Sequence, residues 1–385
     1  MVIPLANAFR PDFVSRLDAM STLVEGLRVP VTVLGVGAQA SLDGRRKSTD
    51  TVTAATRRFV RAVLERSPSI GVRGEFTRDY LRSLGFGDEH VEVIGCPSMF
   101  MWGPELAVER KVDELTPSSP IAFNVSPYVA QMGPLSRHCA EHYPNLVYMG
   151  QNIQTLELLL YGTYPMGKST MADRGAPVTL EHPLIRQGRT RFFLDPQTWI
   201  DHLTGYDFSF GTRIHGNIAA LLAGTPALLL AHDARTLELA EYHEIPYRLI
   251  TDIDATSDPV ALHAETSWER LTGGHQARWD RFSAFLAEHR LAHVYTAGQD
   301  PTAFDRELAA LDFPPPVEPL PEASLDDLYE LRRDLRDIRE ELGRTQSQLD
   351  RATATLDRLR RPRQQIRSRV WNRVDRTVRR VARMR

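Results

Sequence analysis

Cysteine is scarce. The 385 residues hold two, Cys96 and Cys139, which excludes a disulfide framework and a four-ligand thiolate metal site and suits a reducing compartment. Long apolar runs are missing too. No stretch of about 18 apolar residues occurs, and the N-terminus lacks the basic-then-apolar order of a signal peptide, so no segment is expected to span a membrane. A cytoplasmic location is the expectation. Net charge is nearly absent, at a formal −2, but that value hides an asymmetry. Residues 360–385 hold eleven arginines against the single acid Asp375, a net +10, which leaves −12 on the other 359 residues. A mildly acidic body with a cationic tail points to a tail that docks on something anionic.

What is present is ordinary globular material, 42% hydrophobic and 25% charged, enough for two cores of about 100 to 200 residues each. Strand and helix periods alternate along it. Val2 to Leu5 reads as a strand, Phe13, Leu17, Met20, Val24 and Leu27 repeat at helical spacing, and the apolar run Pro30 to Val36 is a second strand. A helix at Thr53 to Leu64, a strand at Ser69 to Val72, a helix from Glu75 to Leu84 stopped by Gly85, and a strand at Val91 to Ile94 follow. After the polar stretch Thr116 to Pro120, strands at Ile121 to Val125, Leu146 to Met149, Arg191 to Leu194, Asp207 to Phe210 and Ala227 to Ala231 alternate with helices, one of them at Ile214 to Leu222. Strands spaced by helices imply parallel sheets. The expected fold is therefore α/β, with two Rossmann-like domains at 1–118 and 119–313. The chain opens directly inside a strand, so the first domain is expected to lack its opening βα unit.

Beyond Phe313 a proline-rich linker spans 314–323, a stiff extended spacer. Leu328, Leu331, Leu335, Ile338, Leu342, Thr345, Leu349, Ala352, Leu356 and Leu359 then follow three-four spacing, which predicts a coiled coil over 324–361 and a homo-oligomer built through it. In 362–385, Ile366, Val370, Val374, Val378 and Val381, with Trp371 beside them, recur among arginines. That pattern predicts a basic amphipathic helix on an anionic membrane surface, which would make the protein peripheral at the inner face. Nucleic acid is the alternative partner, but Trp371 and the valine stripe have no use on a phosphate backbone.

The most informative segment is Y-D-F-S-F-G-T-R-I-H-G-N-I-A-A-L-L-A-G-T-P-A-L-L-L, residues 206–230. It sets Gly211 at a strand end, Thr212 as the N-cap, and Arg213 and His215 in the first helical turn, where unpaired N–H groups attract anions. Gly216 allows close helix packing. Arg73 stands at the end of another strand, in S-I-G-V-R-G-E-F-T, so a second cation is expected at the same cleft. The structural alternatives are a histidine that only caps or packs, and an Arg73 that pairs with Glu75 or Asp79. L-G-V-G-A-Q-A at 34–40 lacks the third glycine of a dinucleotide loop and reads as a cleft-lining turn. Arg45, Arg46 and Lys47 touch the acceptor or form a solvated loop. His232 and Asp233 have no further His or Asp cluster, so no metal site is expected. Arg235 and Glu238 are placed to reach the acceptor side, and Cys96, before Pro97 in a turn, needs no chemical role.

Taken together, G-T-R-I-H-G-N, the following A-G-T-P and H-D-A-R-T-L-E-L-A-E-Y-H-E-I-P, the V-R-G-E-F-T element and V-I-G-C-P-S at 93–98 resemble the polysaccharide pyruvyl transferase family, in matching order over roughly residues 1–250. The resemblance implies a two-domain fold similar to GT-B glycosyltransferases, with phosphoenolpyruvate as donor in the cleft, a sugar or polysaccharide acceptor, and no cofactor. It carries the donor contacts to Arg213 and His215, with backbone contact from Ile214, and maps the V-R-x-E arginine to Arg73. His215 and Arg213 are thus the candidate catalytic residues, and Arg73, Thr212, Ile214, Gly216 and Arg235 the candidate substrate-binding ones. Phosphoenolpyruvate bears a phosphate and a carboxylate on adjacent atoms, which planar guanidinium groups grip bidentately. Ketal formation also needs a proton donor for the methylene carbon, a role expected of His215, the alternative being a hydrogen bond that only positions substrate. The other functional readings are a sugar-nucleotide-dependent glycosyltransferase on the same architecture and a catalytically weakened scaffold.

Overall fold

Short apolar runs separated by helices form parallel strands here, as the alternation of the two periods requires. The computed structural model describes residues 1–44, 50–162, 164, 171, 174–300, 302–320, 328, 331, 334–335 and 337–355. The chain divides into two units, residues 1–320 and 321–385. In the larger unit β1 (Val2–Pro4) pairs in parallel with β3 (Thr32–Leu34), β2 (Asn7–Phe9) with β4 (Gly37–Ala38), and β5 (Ile70–Val72) with β6 (Val91–Val93). A parallel bridge from Val36 to Val72 joins the β3–β4 segment to β5. Helices α1 (Val14–Gly26), α2 (Asp50–Leu64) and α3 (Glu75–Ser83) pack on these strands. Leu17, Val24, Phe59, Val60, Val63 and Leu81 from the helices are fully buried with Val33, Ile70 and Val72 from the strands.

Apart from these three two-stranded sheets, one sheet holds six strands, β7 (Ile121–Asn124), β8 (Leu146–Gly150), β9 (Thr190–Phe192), β10 (Phe208–Gly211), β11 (Ala227–Ala231) and β12 (Tyr247–Leu249). All its pairings are parallel, in the spatial order β9-β8-β7-β10-β11-β12. The chain winds outward from β7 on one side, returns to β10, and winds outward on the other. A doubly wound sheet of this order opens a crevice outside the carboxyl ends of the two strands where the direction reverses, here β7 and β10. Every residue of β10 and β11 is buried, as in a sheet covered on both faces.

The covering helices are α4 (Met132–His142), α5 (Ile153–Tyr161), α6 (Pro183–Arg186), α7 (Pro196–Leu203), α8 (Ile214–Leu222) and α9 (Ala234–His243). Helix α7 starts as its sequence predicts: Pro196 occupies the first turn and Asp195 Oδ1 accepts from Thr198 N at 2.7 Å. Then come α10 (Pro259–Ala264), α11 (Glu269–Gly273), α12 (His275–Glu288) and α13 (Ala303–Ala309). Helix α12 returns to the strands of the first half. Its Phe282 stacks on Phe100 at 4.7 Å, Phe285 and Leu286 join Ile94, and His289 Nε2 lies 3.2 Å from the Ser69 carbonyl.

In the smaller unit residues 337–355 are helical, with Ile338, Leu342 and Leu349 at 59%, 68% and 59% exposure. The heptad positions Leu356 and Leu359 and the basic segment 362–385 lie outside the described residues. Among the described residues no helix is long and apolar enough to cross a membrane.

Candidate active site

Asn124 closes β7 at the reversal point and organises the loop that follows β10. Its Oδ1 accepts from Arg213 N at 2.7 Å, its carbonyl accepts from Thr212 N at 3.1 Å, and its Nδ2 donates to Asn217 Oδ1 at 2.9 Å. Asn217 Nδ2 in turn donates to the Gly211 carbonyl at 3.0 Å. The approach of the two strands leaves room for nothing but glycine at position 211: φ is 140°, and a Cβ would stand 1.9 Å from the Asn124 carbonyl oxygen. Helix α8 consequently begins at Ile214 with Arg213 in the cap position, and no side chain caps its first turn. Arg213 N donates to Asn124, and Gly216 N donates to the Arg213 carbonyl at 3.0 Å, so the turn offers an anion in the crevice the N–H groups of Ile214 and His215.

The expected cap at Thr212 is not formed. Thr212 is fully buried and its Oγ1 accepts from Ser126 N at 2.8 Å, because a buried backbone N–H on the neighbouring loop requires an acceptor. Ile214 is 3% exposed, its side chain in the core. A Cβ on Gly216 would lie 2.6 Å from Gln151 Nε2, so the absent side chain lets α8 approach the loop after β8. These three residues frame the crevice. The half-buried Arg213 bonds Asn152 Oδ1 through Nη2 and lies 5.8 Å from the Tyr128 ring centroid, while its Nε is buried without a partner. The half-buried His215 places Nε2 3.8 Å from Cys96 Sγ.

From the first half of the chain, Arg73 enters at the carboxyl end of β5. It is 3% exposed, donates from Nε to the Gly35 carbonyl at 2.7 Å, and leaves Nη1 buried with no hydrogen-bond partner. The two acids that local sequence offers it are taken, since Glu75 pairs with Arg78 and Asp79 with Arg82. Burial pushes the Arg73 guanidinium below its ordinary range; Cys96 and Glu238 favour its charged form, and Arg235 opposes it. The 34–40 turn thus lines the site through Gly35, and its Ala40 carbonyl accepts from Ala234 N at 3.1 Å at the start of α9.

Cys96, expected to need no chemical role, is a member of this cluster. It is 1% exposed and its N–H donates to His243 Nε2 at 2.9 Å. Burial raises a thiol, but the His215 hydrogen bond, the charges of His215 and Arg73, and a hydrogen bond from Ser98 outweigh it and hold Cys96 down at about 6. The charged neighbours among these, His215 and Arg73, are distant in sequence, so the V-I-G-C-P-S segment alone carries no sign of them.

Arg235 is half-buried, with Nη2 3.3 Å from Asp233 Oδ2 and Nε buried without a partner. Asp233 also caps α9, its Oδ1 accepting from Thr236 N at 2.8 Å. Glu238, expected to face the acceptor side, is instead 4% exposed and fastened to α3: Thr77 N donates to Oε2 at 3.0 Å and Thr77 Oγ1 to Oε1 at 2.9 Å. Burial pushes its carboxyl up to about 7, against those two bonds and Arg73. His232 Nε2 stands 3.4 Å from Tyr128 Oη. Burial lowers its affinity for a proton, Asp233 opposing and Arg235 and Arg213 adding to the effect. His215 and Arg73 therefore act on Cys96, and Arg235 and Glu238 act on Arg73, while Arg213 is held by Asn152 beside the Tyr128 ring and its charge reaches His232.

Arg45, Arg46 and Lys47 lie outside the described residues. Two open surface hollows, of about 440 Å³ beside Arg57 and Arg61 and about 400 Å³ beside Arg28 and Arg66, contain none of these crevice residues. What distinguishes the crevice is chemistry: a buried guanidinium with an unused N–H, a second arginine within electrostatic reach, and a cysteine–histidine contact. In a low-dielectric setting such a group favours a small, multiply charged anion.

The model of the family "Polysaccharide pyruvyl transferase" matches residues 12–234. A search of curated protein sequences found no match. Among solved structures, the S. aureus MnaA–UDP co-structure is similar at 13% identity over 82% of this chain and 78% of that one, with a TM-score of 0.37. A putative UDP-N-acetylglucosamine 2-epimerase from Listeria monocytogenes is similar at 13% identity, covering 79% and 81%, with a TM-score of 0.35. The glycotransferase of kitacinnamycin is similar at 11% identity, covering 76% and 70%, with a TM-score of 0.32.

Proposed function

The chain belongs to the polysaccharide pyruvyl transferase family, and from that premise we propose that its crevice binds phosphoenolpyruvate and transfers the enolpyruvyl group to two hydroxyls of a sugar, forming a pyruvate ketal. The observation that carries this reading is Arg73, 3% exposed, with Nη1 unpartnered and with Cys96 and Arg235 inside its electrostatic field. A buried arginine of this kind needs an anion. The donor supplies a phosphate and a carboxylate, which Arg73, Arg235 and Arg213 would share, with the uncapped first turn adding the Ile214 and His215 N–H groups.

The transfer needs a proton at the donor's methylene carbon. His215, at the start of α8 and facing the same group as Arg73, is the donor in this reading. Protonation makes the neighbouring carbon cationic; one sugar hydroxyl attacks it, and a second replaces phosphate. The acceptor is the terminal sugar of a lipid-linked or nascent surface polysaccharide. A GT-B-like arrangement of two Rossmann-like halves, association through the 324–361 heptads and docking of 362–385 on an anionic membrane complete the proposal, the last two resting on sequence pattern.

The test is calorimetric binding of phosphoenolpyruvate to the full chain, followed by phosphate release with a panel of sugar acceptors. His215→Gln is expected to keep donor binding and lose turnover by about 10²-fold or more. Turnover unchanged in that variant would remove His215 from the mechanism. A wild-type chain that binds no phosphoenolpyruvate would end the donor assignment.

A further inference from the structure

Cys96 is the buried group for which the proposed transfer has no use. Its sulfur faces His215 Nε2 at 3.8 Å from α8, and its backbone N–H is held by His243 Nε2 at 2.9 Å from α9. That second bond makes His243 an acceptor at Nε2. Burial, with Arg278, His275 and Arg73 adding, keeps His243 far below the ordinary histidine range, so it does not compete for the thiol proton. From the end of β5 comes Arg73, nine-tenths and more buried, with an unpartnered Nη1 and a charge that the sulfur feels. The charges of Arg235 and Glu238 act on Arg73, and that of Asp233 acts on Glu238. Among the described residues, the charged groups that act on the sulfur itself are thus His215 and Arg73.

We propose that Cys96 is a positioning residue that stores the proton for the transfer: its thiol gives its proton to His215 Nε2, and a thiolate–imidazolium pair waits under Arg73 before the donor enters. The pair is neutral overall, so its formation adds no net charge to a buried site. The depression of the Cys96 thiol to about 6 agrees with this arrangement. An unassisted imidazole is mostly neutral above about 6.5, which makes a poor acid at neutral pH, and a thiolate partner removes that handicap.

The step balances. The S–H bond of Cys96 breaks and an N–H bond forms on His215. The imidazolium then gives that proton to the donor's methylene carbon, whose C=C electron pair makes the new C–H bond and leaves the adjacent carbon cationic. The attacking sugar hydroxyl uses an oxygen lone pair, and its proton returns to the imidazole. When the second hydroxyl attacks, the C–O bond to phosphate breaks with its electron pair, and that hydroxyl's proton leaves on phosphate. The pair regains its starting state with no oxidant and no metal ion consumed.

For its use in turnover the inference rests on the proposed function, but the pair itself can be measured with no substrate. Thiolate absorbance in the ultraviolet would be followed against pH in the full chain, in Cys96→Ser and in His215→Gln. Cys139, which burial pushes up to about 12, contributes nothing in the range that matters. One thiolate titrating near 6 is expected in wild type, absent in Cys96→Ser, and displaced upward by at least one pH unit in His215→Gln. A wild-type thiolate that appears only near about 8.5, or a midpoint indifferent to His215→Gln, overturns the pairing. In phosphate release, Cys96→Ser should lose about tenfold more at pH 8 than at pH 6, whereas structural damage alone lowers the rate equally across pH. An equal loss overturns the proton-storage role. If wild type released no phosphate from phosphoenolpyruvate, the donor assignment would fall alone, and the thiolate titration would still decide the pair.

Discussion

The two cysteines are both buried, Cys96 at 1% and Cys139 at 0% exposure, yet they stand on opposite sides of an ordinary thiol. Cys139, inside α4 and packed in the apolar core of the six-stranded sheet, is pushed by burial up to about 12, with Asp258 adding to the rise. Cys96 suffers the same burial and still falls to about 6, because His215 and Arg73 face its sulfur. Burial therefore does not decide the charge state here. The neighbours decide it, and the charged ones come from different elements: Arg73 from the end of β5 and His215 from the start of α8. The contrast separates a residue that packs from one that participates.

The largest way to break that contrast is to remove the cation. Arg73→Gln deletes the group expected to hold the donor and the charge beside Cys96. It should lower kcat/KM for phosphoenolpyruvate by about 10² to 10³ and at the same time raise the thiolate midpoint of Cys96 toward ordinary values. Arg73→Lys, which keeps a charge but loses the planar fork, should restore the midpoint better than the rate. Steady-state kinetics and thiolate absorbance on the same preparations check both, and a rate within threefold of wild type for Arg73→Gln would contradict the assignment.

Glu238 offers a second comparison, with burial winning this time. Its carboxyl is raised to about 7 although Thr77 donates to both oxygens and Arg73 is near. The folded chain consequently holds a proton between about 4.5 and 7 that the unfolded chain has released. Stability from this group is present in full below the unfolded value and is lost as pH rises through that window, by an amount on the order of 3 kcal/mol. Glu238→Gln cannot titrate. Its unfolding free energy, measured by denaturant from pH 4.5 to 7.5, should lack this fall, and a difference between wild type and variant that stays constant with pH would show that Glu238 keeps an ordinary carboxylate.

How much of this was legible beforehand follows the reach of each interaction. Helix α8 at Ile214–Leu222 and strand β10 at Phe208–Gly211 could be read from local periodicity, because a period needs only neighbours along the chain. Arg73 and His215 could be singled out because each stands at the junction of a strand and a helix. The cap could not be placed: Thr212 turns its hydroxyl to Ser126, which is 86 positions away, instead of to its own helix. The Cys96–His215 contact spans 119 positions, and the bond from Cys96 to His243 spans 147. The return of α12 to Ile94 and Phe100 is likewise a matter of packing between remote segments. Local patterns record which element forms. They do not record which other element it meets.

The smallest expected effect sharpens the contrast from the inert side. Cys139, buried in α4, has no polar partner for its sulfur among the described hydrogen bonds, so replacing it with alanine removes one buried atom and leaves a small cavity. The cost should be about 1 kcal/mol in unfolding free energy. Nothing near the crevice changes, so donor affinity, turnover and the thiolate titration should match wild type. The variant leaves Cys96 as the single thiol of the chain, and every thiolate signal then belongs to it. Should the low-pH signal vanish in Cys139→Ala while the fold persists, the reactive thiol would be Cys139, and the argument from His215 and Arg73 would have been attached to the wrong sulfur.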